Sequence, residues 1–215
     1  PQSALLETVD MTMQGGGERQ KALDLLILCD TTGSMGDELN FLQTELEDVI
    51  SSVQHSVYGL SVRVAVNFYR DEGDQYIVRD FPFTADVSEA TEQLNAQQAN
   101  GGGDYEEAVE QALENAVYEH DWQAPTKLLF LVLDAPPHHT DKISRKLQEI
   151  VREAAGLGIR IIPVTASGVD TETEYLMRTY AISTGGTYVF LTDDSGVGNE
   201  HLEPTIGEYT VEYLN

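Results

Sequence analysis

Apolar and polar positions fall into two alternating kinds of segment along the chain. One kind is short and greasy: "DLLILCD" (24–30), "VRVAVNFYR" (62–70), "KLLFLVLD" (127–134), "IRIIPVTA" (159–166) and "TYVFL" (187–191). Runs of this length predict strands, and the near-continuous ones suit a parallel sheet buried on both faces. The other kind repeats apolar residues at three- and four-residue steps. Leu39, Leu42, Leu46, Val49, Ile50 and Val53 do so within 37–53, which predicts an amphipathic helix lying on one sheet face. Further helices are expected over 86–98, where Asp86 precedes Glu89 by three residues, and over 104–120, where Asp104 and Glu107 repeat that capping signature after three glycines. Two more are expected over 141–156 and 172–184. "DQYIVRDFPF" (74–83) reads as an edge strand joined to 62–70 by the turn-like "DEGD", and Pro82 suits an edge.

Strands alternating with long helices imply right-handed crossovers. The expected class is α/β, a doubly wound, mostly parallel six-stranded sheet with one antiparallel edge strand and helices on both faces. Residues 1–22, broken by Gly15, Gly16 and Gly17, read as an N-terminal arm. Residues 23–203 read as one domain, and 204–215 as the start of a C-terminal helix or a tail.

Charge narrows the range of partners. Twelve Lys and Arg stand against 37 Asp and Glu, a net charge of −25. No basic stripe is present to displace phosphate counterions, so nucleic acid is excluded as a partner. The acidity reads most simply as a solubility device. Cys29 is the single cysteine, so no intrachain disulfide forms, and its apolar setting makes it a small hydrophobe. No apolar run reaches 18 residues, so no transmembrane segment is expected in this chain. The sequence opens on Pro1 rather than Met, so the lack of a leader segment assigns no compartment, cytoplasmic or extracytoplasmic.

In a doubly wound sheet, ligands bind at the carboxyl ends of the strands near the point where strand order reverses. Asp30 and Asp134 both occupy such ends. Asp30, Thr32 and Ser34 alternate over five residues, so a loop curling over the strand tip aims one carboxylate and two hydroxyls inward. These are hard oxygen donors suited to a magnesium-like or calcium-like ion, with no sulfur or imidazole for zinc or copper. A carboxylate closing a buried strand is costly unless paired or coordinated, and with Asp134 nearby a metal explains it better than an unassisted acid pair. Ser34, three residues before Asp37, also reads as a helix cap.

Asp30-Thr31-Thr32-Gly33-Ser34 is similar to the Asp-x-Ser/Thr-x-Ser signature of the metal-ion-dependent adhesion site in the von Willebrand factor type A family. The resemblance runs over roughly 23–195, counting strand and helix order, the Gly-rich second loop and Asp134. It implies a Rossmann-like fold and a bound Mg2+, or Mn2+ or Ca2+. Thr32 and Ser34 would ligate through their hydroxyls, and Asp30 and Asp134 directly or through water. The family usually has a threonine in the second loop, whereas "NGGGDYEE" offers Asp104, a pattern resembling the hemicentin branch and some bacterial relatives. Asp104 therefore has two open roles, metal ligand and N-cap. As a third carboxylate it would overcompensate a divalent ion, favouring retention of the ion over attraction of an acidic ligand.

The loop "DAPPHHTD" (134–141) raises a transition-metal or acid–base rival through His138, His139 and Asp141, but adjacent histidines point different ways. They are expected on the rim, or with one ring stacked. "RDEGD" (70–74) reads as a solvated turn on the same face. The expected function is a metal-dependent protein-binding module, for adhesion or assembly, whose partner presents an acidic residue, with a basic rim to offset the repulsion. The alternatives are a metal-dependent phosphohydrolase and a scaffold holding a purely structural ion. Catalysis is disfavoured, because Thr32 breaks the Asp-x-Asp pair of aspartate-nucleophile phosphatases and no P-loop or Gly-x-Ser-x-Gly sequence occurs.

Overall fold

A computed structural model describes residues 21–166 and 169–191. Six strands, β1 Ala22–Asp30, β2 Ser61–Tyr69, β3 Val78–Arg79, β4 Thr126–Leu133, β5 Ile159–Thr165 and β6 Val189–Phe190, form one sheet in the order β3-β2-β1-β4-β5-β6. Every pairing is parallel except β2 with the edge strand β3. The α/β class, sheet and single antiparallel edge are as the alternating pattern predicts. Most of the proposed N-terminal arm (1–22) and all of the C-terminal tail (204–215) lie outside the described residues.

Side chains of β1 alternate between two cores, as the two-residue period of a strand requires. Leu26 and Leu28 join the core under α3 (Val109–Tyr118), α4 (Asp141–Gly156) and α5 (Thr171–Thr184). Ile27 and Cys29 join the core under α1 (Gly36–Ser56) and α2 (Val87–Asn95). Burying β1 on both faces removes any polar side, which is why its sequence is greasy throughout.

Helix starts follow local capping chemistry. Asp86, Thr140 and Asp170 accept backbone N–H bonds from Ser88, Ile143 and Thr173 at the starts of α2, α4 and α5. α3 departs from expectation, beginning at Val109 with Ala108 in the cap position, so Asp104 does not cap it. The backbone of 104–108 is used differently: Glu107 N–H donates to the Pro136 carbonyl at 2.9 Å, and Glu107 forms a parallel bridge with Pro137. Ser34 is not a cap either, since a 3-10 turn, Gly33–Met35, separates β1 from α1. The edge strand expected over 74–83 contracts to Val78–Arg79, with a separate antiparallel bridge between Val64 and Thr84. Between them Pro82 supplies no N–H to the ladder, and the Phe81 N–H turns to Asn67 Oδ1 at 3.2 Å.

Asp24, the one polar residue inside the greasy run, ties down the amino end of the sheet. Its carboxylate accepts from Arg63 Nε at 2.9 Å and Nη2 at 2.7 Å, and from the Gln123 and Ala124 N–H groups at 2.7 and 2.8 Å. The Arg63 guanidinium also donates to the Asp121 carbonyl and lies over the Phe83 ring. Burial alone would raise the acid's pKa; these donors and the Arg63 charge outweigh it and hold it below the ordinary value. Asp24→Ala is expected to cost about 3–5 kcal/mol in urea unfolding, as for breaking a buried ion pair by removing one member. Because the folded pKa is lowered, this contribution is present above the ordinary carboxylate range and fades as pH falls through it, so the gap between wild type and variant should narrow in acid.

Candidate functional site

The register that sets Cys29 opposite Val132 brings Asp30 and Asp134 to neighbouring strand tips, where the chain order reverses between β1 and β4. Asp30 is fully buried. Its Oδ1 accepts from the Thr32 N–H and the Thr32 hydroxyl, both at 2.8 Å, which curls the loop back over the strand end. Its Oδ2 is buried with no hydrogen-bond partner. Asp134, also buried, receives a hydrogen bond from the Ser34 side chain and keeps Oδ1 buried and unpartnered. Asp30, Thr32, Ser34 and Asp134 are thus brought together, while Asp104 sits exposed on the second loop.

The loop after β1 is fixed from below. Thr31 donates its N–H and hydroxyl to the Tyr69 carbonyl, both at 3.0 Å, and its hydroxyl meets Tyr76 OH at 2.7 Å. The Thr31 carbonyl accepts from the Asn100 N–H at 3.0 Å and from Arg70 Nε at 3.2 Å. Arg70 also donates to the Gln98 carbonyl at 2.7 Å and stacks on Tyr76. Segment 70–74 is a turn with Glu72 and Gly73 exposed, but it is solvated only in part: Arg70 and Asp71 are buried, and Asp74 Oδ2 accepts the Gly102 N–H at 2.9 Å. Gly101 and Gly102 both have positive φ, 86° and 76°. A Cβ on Gly101 would collide with the Asp74 carboxylate, and one on Gly102 would lie 3.1 Å from Glu107 Oε1 and 3.2 Å from Thr32 Cβ. Glycine here lets the second loop press against the first.

That close approach brings in a residue missed in the sequence, Glu107. Its side chain is buried and Oε2 has no hydrogen-bond partner. Burial, followed by the charges of Asp30, Asp71, Asp74 and Asp134, pushes its pKa up to about 9. Asp30 is raised to about 7, again chiefly by burial with Asp134 adding, against the lowering effect of the Thr32 bonds and Arg70. Burial raises Asp134 too, opposed by its bond from Ser34. The one clue to Glu107 in the sequence is its place in "GGGDYEE", where the capping pattern offered a competing explanation.

The two histidines separate. His138 is mostly buried, with Nε2 at 3.0 Å from Asp71 Oδ1 and Nδ1 at 3.3 Å from Glu110 Oε1; His139 lies on the rim with Nδ1 at 2.9 Å from Glu106 Oε1. Among the described residues, no group of three or more His, Cys, Asp or Glu side chains is arranged to hold a metal. The site at the β1 and β4 tips is of another composition, carboxylates with hydroxyls.

The von Willebrand factor type A domain family matches residues 24–202. A putative ariadne-like RING finger protein of Acanthamoeba polyphaga mimivirus is 26% identical over 138 residues, covering 62% of this chain and 13% of that protein. The chain spans only that small share of the relative's length, so the RING finger in its name belongs to the relative. With the match extending across nearly every described strand and helix, the chain belongs to the von Willebrand factor type A domain family.

Proposed function

We propose that this domain, from a family whose members are in general protein-interaction or adhesion modules, binds its partner through a divalent ion held at the β1 and β4 strand tips. One observation carries the reading: two buried carboxylates on neighbouring strand tips, Asp30 and Asp134, each keep an oxygen without a partner. Unpaired buried carboxylates are costly, and a cation shared between them offsets that cost. The donors fit a hard ion. Asp30, Asp134, Ser34 and Thr32 would hold Mg2+, or Mn2+ or Ca2+, in an all-oxygen set. Glu107 adjoins this set from the second loop without being arranged as a third carboxylate ligand, and Asp104 is exposed. When bound there, the ion would supply Lewis acidity for a carboxylate of the partner protein. Asp71, Asp74, Glu106 and Glu107 lie on the same face, so a partner with basic residues around its acidic one matches the surrounding charge. The phosphohydrolase reading is not favoured, since Thr32 bonds Asp30 where a second aspartate would be required.

Magnesium or manganese at a hundredfold excess over its dissociation constant should add about 2.7 kcal/mol of stability, a rise in Tm of roughly 5–10 °C for a domain of this size. Asp134→Ala should remove that rise while its metal-free far-UV circular dichroism stays native. An unmoved wild-type Tm across both ions would sink the metal assignment.

Acidity gives a second expectation. Asp30 and Glu107 hold protons in the folded, metal-free protein that the unfolded chain releases near the ordinary carboxylate values. Metal-free stability should therefore fall as pH rises from about 5 to 9. Saturating Mg2+ should flatten this decline, and Glu107→Gln should lessen it in chelator. Thermal scans across that range, with chelator and with Mg2+, check both statements.

A further inference from the structure

The His138 ring lies between carboxylates from two other parts of the carboxyl-end face. Its Nε2 meets Asp71 Oδ1 in the segment after β2 at 3.0 Å, and its Nδ1 meets Glu110 Oε1 in the first turn of α3 at 3.3 Å. The ring itself is carried by the loop after β4, four residues beyond Asp134. Asp71 and Glu110 are buried; the Glu110 contact has hydrogen-bond geometry, whereas the Asp71 contact is an ion-pair distance, and among the described residues neither Asp71 Oδ1 nor Glu110 Oε2 has a hydrogen-bond partner. A neutral imidazole carries one N–H and no net charge, whereas an imidazolium can hydrogen-bond Glu110 through Nδ1 and at the same time attract Asp71 by its charge. Loss of a single proton therefore removes the positive charge that holds two buried carboxylates to one ring.

We propose that His138 is a proton-operated tie: protonated, it clamps the segment after β2 and the first turn of α3 to the loop after β4, and deprotonated, it releases one of them. The other groups near the ring are consistent with this. Glu106 adds negative charge from the loop before α3, while Glu172 and Tyr180 of α5 share the cavity that His138 and His139 line. Burial opposes the charged ring, but Glu110's charge and hydrogen bond, then Asp71 and Glu106, outweigh it and raise the imidazole's pKa above its ordinary value. For a raised histidine the stabilisation is fully present below the unfolded value and is lost as pH rises through the folded one. Segments 70–74 and 106–110 both border the strand tips, so the tie sets how firmly the walls of that face are held whether or not an ion is bound.

The test uses the full chain in chelator, so its outcome does not depend on the metal reading. The imidazole resonances of the five histidines are followed by NMR from pH 5 to 9, with His138 assigned from His138→Gln, alongside amide exchange of 70–77 and 106–111 corrected for intrinsic rates. His138 should titrate above 6.5. Protection in one of the two segments should fall as it does so, by about tenfold for each unit of elevation. His138→Gln should abolish this pH dependence, and Asp71→Asn should lower the His138 titration point. Should His138→Gln fail to fold, through-space contacts of the ring supply the assignment, and the wild-type titration and the Asp71→Asn shift decide the matter. Titration at or below 6.5, or protection unchanged across it, overturns the proposal, as does the same pH dependence in His138→Gln.

Discussion

Asp30 closes a strand that is buried along almost its whole length, so its carboxylate gives up water before any partner is in place. Desolvating that charge is the constraint around which the carboxyl-end face is arranged. One oxygen takes both donors that Thr32 can offer, which forces the following loop to fold back over the strand tip. A folded-back loop must be supported, and Thr31 is held by Tyr69, Asn100, Arg70 and Tyr76. Close support requires the second loop to approach without side chains, hence the two glycines in left-handed conformation beside Asp74 and Glu107. The second oxygen receives no donor among the described residues.

Asp24 and Asp30 show how donors decide the fate of a buried acid. Both are fully buried in the same strand. Asp24 collects a guanidinium fork and two backbone N–H groups and is held ionised below the ordinary range. Asp30 has Thr32's two bonds, the charge of Arg70 without a bond from it, and a neighbouring Asp134, and its pKa moves the other way. Burial pushes both upward; the number and charge of donors sets the sign.

Segments whose pattern reports burial were legible from sequence: β1, β4, β5 and α4 lie within about a residue or two of their expected bounds. Readings failed where one motif admits two backbone solutions. Asp104 with Glu107 has the spacing of a capping box, but the chain spends Glu107's N–H on Pro136, delays α3 to Val109 and turns the Glu107 carboxyl inward. Ser34 before Asp37 looked like a cap, yet a 3-10 turn intervenes. "RDEGD" has turn composition, which reports local conformation and says nothing of the tertiary donors that bury Arg70 and Asp71. That Asp30, Thr32, Ser34 and Asp134 gather at one strand end was visible because a strand tip and a short alternation place them; the approach of Glu107 depended on a contact between loops, which no local pattern encodes.

The guanidinium tie at Asp24 and the loop cluster at Asp30 stand at opposite ends of one strand, six residues apart and so separated by about 20 Å. Substitution effects at that distance, without shared partners, add rather than interact. The loops around the strand tips can therefore accumulate changes in what they recognise while the opposite end of the sheet keeps the fold intact, leaving one framework able to carry many different specificities.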